Sequence, residues 1–199
     1  MTFQEDELGR LLMAVKFSAV KHRKQRRKGI EEHAYVTHPI QVAEIMWNVG
    51  GVRDLDVIIA GLLHDTIEDT DTTADEISEK FGASVADMVL EVSDDKSLEK
   101  SVRKQLQIEH AAHASHGAKQ IKLADKITNI YDIQNNPPAK WDVARKSTYI
   151  TWACDVVAGL RGANPALEAL FDRVVRDARE HLSKDAGSSH SLETDTVGA

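Results

Sequence analysis

Two histidines and two aspartates, supplied by three segments far apart in the chain, could close around one metal ion. They are His38 in the sequence THP, His64 and Asp65 in LLHDT, and Asp125 in KLADK. Mixed imidazole and carboxylate ligands suit Mn, Fe, Co or Zn better than Mg, and they leave coordination positions open for water. A bound ion lowers the pKa of a coordinated water, which is what hydrolysis needs. The sequence therefore predicts a hydrolytic metal centre.

Two further acids, Glu68 and Asp69, follow the His64-Asp65 pair closely. The apolar run VIIAGLL at 57–63 predicts a helix that passes through the core. If this helix continues to residue 69, His64 and Glu68 lie on one line and Asp65 and Asp69 on the next. Buried histidine and carboxylate are costly unless they are paired or metal-bound. We therefore expect four polar groups on one face, turned into a cleft; the alternative is an acidic helix end that is only solvated.

Length and composition indicate one soluble domain. The chain has 199 residues and 22.0 kDa, with 42% hydrophobic and 5% aromatic residues. It contains no apolar run long enough to span a membrane, and the first residues, MTFQEDE, are acidic where a signal peptide would be basic. The single cysteine, Cys154, excludes an intramolecular disulfide and fits a small core residue better than a nucleophile. We expect a cytoplasmic protein.

A basic run contrasts with the net charge of −7, since KHRKQRRK at 21–28 holds six Lys or Arg in eight positions. A nucleic-acid surface is one interpretation, but the rest of the chain is acidic, and a phosphate backbone needs a broad basic surface. The run could also line a pocket for a highly phosphorylated small molecule, or form a solvated helix end. We expect most of it to be solvated, with one or two residues in the site.

Helical periodicity dominates the chain, and no segment alternates as a strand would. The sequence predicts an all-α, compact multi-helix bundle over residues 1–182 and a disordered tail over 183–199, where apolar periodicity is lost. We predict helices that begin near Glu5, Pro39, Asp54, Thr73, Ala83, Leu98, Gly117, Lys140 and Asn164.

Other histidines suggest no second metal site. His110, His113 and His116 are spaced by three and drift around a helix, with no cysteine or carboxylate to complete a ligand set. We interpret them as a solvated helix end, and His22 and His33 as surface residues.

Taken together, five segments resemble the hydrolase domain of RelA/SpoT-type alarmone enzymes, which belong to the HD superfamily of metal-dependent phosphohydrolases. The likeness is greatest to stand-alone small alarmone hydrolases of the metazoan SpoT-homologue type and extends from about Leu8 to Leu182. The segments are the basic run at 21–28, YVTHP at 35–39, LLHDTIEDT at 62–70, VSDDK at 92–96 and KLADK at 122–126.

This resemblance implies an HD-domain fold and a Mn²⁺-dependent enzyme of the stringent response. Such an enzyme is a phosphoric diester hydrolase that removes the 3′-diphosphate from guanosine tetra- or pentaphosphate, releasing pyrophosphate with GDP or GTP. The long enzymes' synthetase domain has no counterpart here, so hydrolysis alone is expected, with a nucleotide as partner and neither nucleic acid nor membrane.

The resemblance also implies roles for individual residues. His38, His64, Asp65 and Asp125 would be metal ligands, and Glu68 and Asp69 catalytic acids. The positions that match substrate contacts are Arg27, Lys28, Lys100, Asn129, Arg145 and Tyr149, with Lys100 outside any sharp motif.

Two departures from the family pattern are visible: Ala34 replaces a common proline, and Thr128 stands where Tyr or His is common. The first should alter only a loop, and the second could affect nucleoside preference. Two alternative functions remain open at this point. One is a phosphatase acting on another nucleotide, such as the 2′-phosphate of NADPH, and the other is a non-catalytic alarmone-binding module.

Overall fold

The computed structural model describes the backbone of residues 5–191 and the side chains of residues 6–184. Within the described residues, extended pairing is limited to two isolated bridges, Arg26 with Ala34 and Gly29 with Pro138. The all-α prediction is confirmed. The helices are α1 (Glu5–Lys21), α2 (Thr37–Asn48), α3 (Leu55–Leu63), α4 (Thr66–Asp69), α5 (Ala74–Phe81), α6 (Ala83–Val92), α7 (Lys100–Ala111), α8 (His116–Asn135), α9 (Val143–Leu160) and α10 (Pro165–Ser191).

Helix α8 forms the centre of the bundle and packs against α2, α3, α6, α9 and α10. Its apolar side chains Ile121, Leu123, Ile127 and Ile130 are fully buried. Helix α3 is buried from residue 57 to residue 63, as its uniformly apolar sequence predicts. Helices α2 and α8 carry one predicted metal ligand each, and the other two directly follow α3.

The helix expected to continue through residue 69 is interrupted, and the prediction of one continuous helical face is wrong. Helix α3 ends at Leu63, Asp65 adopts φ −95° and ψ −3°, and α4 begins at Thr66. The His64 imidazole donates to the Gly61 carbonyl, and the Thr66 hydroxyl donates to the Leu63 carbonyl at 2.6 Å. These side chains take carbonyls that a continuous helix would use, and such competition ends helices. His64 and Asp65 therefore lie in a turn.

Two further expectations differ from the structure or lie partly outside it. His22, expected at the surface, is only 1% exposed; its ring contacts that of Tyr35, with centroids 4.9 Å apart. Helix α10 extends past the predicted boundary at 182 to Ser191, and residues 192–199 lie outside the described part, so a disordered tail stays a prediction.

No helix in the described residues is long and apolar enough to cross a membrane.

Candidate active site

The four predicted ligands converge from three separate elements. His38 lies in the first turn of α2, His64 and Asp65 in the turn between α3 and α4, and Asp125 midway along α8. His38 Nε2 is 3.2 Å from Asp125 Oδ1 and 3.6 Å from Asp65 Oδ2. His64 Nε2 is 3.1 Å from Asp65 Oδ2 and 3.9 Å from Asp125 Oδ1. Both histidines are buried, so four potential ligand atoms face one small space.

The donor set fits a divalent ion. His64 Nδ1 donates to the Gly61 carbonyl at 2.8 Å, so Nε2 is the ring nitrogen that can take either a second proton or a metal ion. His64 Nε2 is buried and makes no hydrogen bond within the described structure, although Asp65 Oδ2 is near. Ligand atoms of His38, His64 and Asp65 all lie within 4.8 Å of one another. A buried nitrogen without a hydrogen bond is costly, and a metal ion at this point would satisfy it.

Charges in the site favour a cation. Burial opposes ionisation of Asp65 and Asp125, yet His64 lowers the pKa of Asp65, and Lys126 lowers that of Asp125. Burial also opposes the charged form of His64, but Asp65 and Asp125 outweigh it and raise the pKa of His64 to about 9. Both carboxylates therefore remain ionised, and without a metal a proton occupies the imidazole.

Three side chains hold the carboxylate ligands in place. The Tyr35 hydroxyl donates to Asp65 Oδ2 at 2.6 Å, and Lys126 Nζ donates to Asp125 Oδ2 at 3.0 Å. Asn129 Nδ2 donates to Asp125 Oδ1 at 2.6 Å. Asn129 was expected to contact the substrate, and Tyr35 and Lys126 were not predicted, although Tyr35 stands in the YVTHP segment and Lys126 follows a ligand directly. Such partners fix ligand orientation and tune the metal.

The two predicted catalytic acids lie beside the cluster. Glu68 Oε2 accepts from the Asp94 backbone N–H at 3.2 Å, and Glu68 Oε1 is 3.7 Å from Lys96 Nζ and 3.8 Å from Arg103 Nη1. Asp69 forms an ion pair with Lys96. Burial raises the pKa of Glu68, and the nearby charge of Asp94 adds to this, against the hydrogen bond from the Asp94 N–H. Glu68 is therefore suited to exchange a proton closer to neutral pH than a solvated glutamate.

A cavity of about 470 Å³ opens over the metal ligands and these two acids. Five predicted substrate contacts line it, together with the rings of Trp141 and Trp152. Its cationic side chains come from several elements: Lys28, Lys96, Lys100, Arg103, Lys104 and Arg145. The remaining predicted contacts in its wall are Asn129 and Tyr149.

Arg27 is placed differently from the other predicted contacts. It lines an adjoining cavity of about 230 Å³ and donates to Asp132 Oδ2 at 2.6 and 3.0 Å and to Asn129 Oδ1 at 3.1 Å. Its neighbour Lys28 lines both cavities. Lys21, the first residue of the basic run, forms an ion pair with Glu76 at 2.8 Å. The basic run thus divides between solvent, ion pairs and the site.

Three cationic cavity residues were not predicted from the sequence: Lys96, Arg103 and Lys104. A signal for the last two exists, because Lys100, Arg103, Lys104 and Gln107 have the spacing of one helical face, and all four line the cavity. Recognising that face required knowing that α7 packs beside α9, which the pattern of α7 alone does not specify.

Two secondary expectations can be compared with the structure. Thr128, expected to affect nucleoside preference, lines neither of the two cavities; it is buried behind His38. The three spaced histidines belong to no ligand cluster in the described chain. His110 and His113 are exposed, and His116 Nδ1 lies 3.0 Å from Gln120 Nε2.

Comparison with known families gives one match that covers most of the fold. The model of the HD domain matches residues 14–153, a range that includes every predicted ligand and both acids. HD domains bind a divalent metal, in keeping with the His38, His64 and Asp65 cluster.

Full-length relatives extend the similarity to nearly the whole chain. The human protein named guanosine-3′,5′-bis(diphosphate) 3′-pyrophosphohydrolase MESH1 is 48% identical over 181 residues, covering 91% of this chain and 97% of the human one. The Danio rerio protein of the same name is 51% identical over 158 residues, covering 79% and 88%. A solved structure described as a metazoan ortholog of SpoT that hydrolyzes ppGpp has a TM-score of 0.84 and 44% identity, covering 89% of this chain and 98% of that one.

Proposed function

Because this chain belongs to the HD-domain family, and within it to the guanosine-3′,5′-bis(diphosphate) 3′-pyrophosphohydrolases, we propose that it hydrolyses guanosine tetra- and pentaphosphate. The products are pyrophosphate and GDP or GTP. The observation that carries this proposal is the convergence of two imidazoles and two carboxylates under a cavity with six cationic side chains. That arrangement combines a divalent-metal centre with a binding site for a polyphosphate.

Mn²⁺ is the ion that we propose for the site, held by His38, His64, Asp65 and Asp125. Two nitrogen and two oxygen donors suit a first-row transition ion and do not complete six-fold coordination. When bound, the ion supplies a water of lowered pKa and polarises a phosphoryl oxygen.

Glu68 and Asp69 are proposed to handle the protons of the reaction. Water adds to the phosphorus next to the ribose 3′-oxygen, and the bond between that phosphorus and the 3′-oxygen breaks. One proton leaves the water, and one proton reaches the 3′-oxygen of the departing nucleoside di- or triphosphate. Both acids line the cavity, and the raised pKa of Glu68 supports its holding a proton between these transfers.

Cations around the cavity are proposed to bind the phosphates. Lys28, Lys100 and Arg145 match substrate contacts by resemblance, and their positive charge and position in the cavity wall support a role in phosphate binding. Asn129 and Tyr149 are proposed to contact the ribose and the base, beside the rings of Trp141 and Trp152. Arg27, held by Asp132, is proposed to contact a part of the substrate that enters the adjoining cavity.

We also propose that residues 1–182 form a single hydrolase domain and that the protein is cytoplasmic. Its proposed partner is a small nucleotide and not nucleic acid or membrane. Supporting this, six cationic side chains line one cavity, while the chain as a whole has a net charge of −7.

The decisive experiment measures pyrophosphate release from guanosine tetraphosphate by the Mn²⁺-loaded protein, with and without a chelator. His64→Ala should abolish release, and Glu68→Ala should reduce it by about 10²- to 10⁴-fold because a proton-transfer group is lost. His33→Ala and Glu79→Ala are matched controls on exposed residues and should keep full activity.

Three outcomes would contradict the proposal in different ways. Retained activity in His64→Ala or Glu68→Ala would contradict the site assignment. Orthophosphate released from NADPH without pyrophosphate from guanosine tetraphosphate would keep the site and change the substrate. Binding of the tetraphosphate with no turnover would indicate an alarmone-binding module.

A further inference from the structure

Thr128 is buried directly behind the metal ligand His38. It follows Asp125 by three residues on α8, so its side chain lies near that ligand, and it is only 3% exposed. Its Oγ1 is 3.3 Å from His38 Nδ1, 2.9 Å from the Asp125 carbonyl oxygen and 3.2 Å from the Ala124 carbonyl oxygen. The hydroxyl therefore lies between a ligand histidine and two backbone carbonyls of α8.

The hydrogen-bonding capacity of these groups decides which way the bonds run. A threonine hydroxyl carries one proton, and a carbonyl oxygen can only accept. The shortest of the three contacts, to the Asp125 carbonyl, takes the hydroxyl proton. The oxygen lone pairs then accept the proton of His38 Nδ1, and the lone pair of the ring is left on Nε2. That atom faces Asp65 and Asp125.

The ring of His64 makes an equivalent hydrogen bond through Nδ1, but its partner is a backbone carbonyl. Its Nδ1 donates to the Gly61 carbonyl at 2.8 Å, and a carbonyl cannot donate in return. The tautomer of His64 is thereby fixed by the main chain, whereas that of His38 depends on the side chain of Thr128. Both ligand histidines direct Nε2 toward the site, but the Nδ1 partner of His64 is a backbone carbonyl and that of His38 is a side chain. Only the partner of His38 can be removed by substitution.

We propose that Thr128 is a positioning residue of the metal centre, whose hydroxyl holds His38 in the tautomer and ring orientation that bind the ion. The inference rests on the metal site of the proposed function but not on its substrate. Without the hydroxyl, the Nδ1 proton of metal-bound His38 is buried with no acceptor. Loss of such outer partners typically weakens metal binding by about 10- to 100-fold.

The test compares Mn²⁺ affinity, measured by calorimetry on metal-free protein, in three variants. Thr128→Val keeps the shape and removes the hydroxyl, and it should bind Mn²⁺ about 10- to 100-fold more weakly. Thr128→Ser keeps the hydroxyl and should bind as the wild type does. Thr151→Val is the matched control, because Thr151 also donates to a helix carbonyl, that of Ser147 at 3.1 Å, on the exposed face of α9.

A readout of turnover separates this role from a general loss of structure. In Thr128→Val, the Mn²⁺ concentration for half-maximal pyrophosphate release should rise by the same factor as the dissociation constant, whereas a general loss of structure would lower the rate at every Mn²⁺ concentration. If circular dichroism shows that Thr128→Val is unfolded, Thr128→Ala replaces it. Alanine removes the hydroxyl without introducing a new methyl group, and its Mn²⁺ affinity is compared with that of Thr128→Ser.

Two results would overturn the role of Thr128 alone: unchanged Mn²⁺ affinity in folded Thr128→Val or Thr128→Ala, or an equal loss in Thr128→Ser. A wild-type protein that binds no Mn²⁺ would overturn the metal site and this role together. A wild-type protein that binds Mn²⁺ but leaves guanosine tetraphosphate intact would overturn only the proposed substrate, and the affinity comparison would still decide the role of Thr128.

Discussion

His64 can bind a metal ion only after it releases a proton. Burial lowers its pKa, but the charges of Asp65 and Asp125 prevail and raise it to about 9. Because the proton is held below about pH 9 and lost above it, each ion that binds at neutral pH displaces one proton. We expect Mn²⁺ affinity to increase about tenfold per pH unit from pH 7 to about pH 9.

Calorimetry at several pH values, each in two buffers of different ionisation enthalpy, gives both the affinity and the number of protons released. His33→Ala, which removes an exposed histidine, should follow the wild-type curve. An affinity that stays constant from pH 7 to pH 9 would show that the proton on His64 does not compete with the ion.

Single residues also show what the sequence could reveal of the site. The ligand motifs are local in sequence, so His38, His64 and Asp65 could be named before the fold was known. The hydrogen-bond partners of the ligands depend on which helices pack together. Tyr35 reaches Asp65 across 30 residues, and Thr128 reaches His38 across 90; no spacing in the sequence encodes these distances.

Among the elements, helix α3 shows where periodicity succeeds and where it stops. The buried course of residues 57–63 follows from their apolar composition. The end of α3 does not, because it depends on two side chains, His64 and Thr66, taking carbonyls of the last turn. The hydrophobic periodicity of the sequence is compatible with a helix that continues through both residues, so it does not predict this end. The interruption lets His64 and Asp65 both turn toward His38, which a straight helix would not allow for adjacent residues.

A close approach between α7 and α9 permits a test of how these elements hold the cavity. A Cβ at Gly159 would lie 2.8 Å from Ala111 Cβ and 2.9 Å from the Ala112 backbone nitrogen, so the helices would have to separate. We expect Gly159→Ala to lower the free energy of unfolding by about 1–3 kcal/mol, the usual cost of overpacking. Since α7 carries Lys100 and Arg103, the KM for the nucleotide should increase.

Gly9→Ala is the matched control on α1, because a Cβ at Gly9 meets nothing within 4 Å. There the better helix propensity of alanine should raise the free energy of unfolding by up to about 1 kcal/mol. Urea denaturation measures both changes. An equal rise in stability in Gly159→Ala would mean that α7 and α9 tolerate separation.

At the scale of the whole molecule, the metal ligands connect helices that lie far apart in sequence. His38 comes from α2, His64 from the end of α3 and Asp125 from α8, and these helices pack on one another around the core. Their side chains cannot reach one another in an unfolded chain. An ion that binds only the folded state therefore stabilises the entire fold by an amount set by its concentration and dissociation constant.

At Mn²⁺ one hundred times above its dissociation constant, this stabilisation is about 2.7 kcal/mol, which corresponds to a rise in Tm of about 5–10 °C for a protein of this size. Differential scanning calorimetry with Mn²⁺ and with chelator measures it. Asp125→Asn and His64→Ala should lose the rise, whereas Asp177→Asn, an ion-pair partner of Arg176 on α10, should keep it. A similar rise in all three variants would mean that Mn²⁺ stabilises the protein from somewhere other than the site that joins α2, α3 and α8.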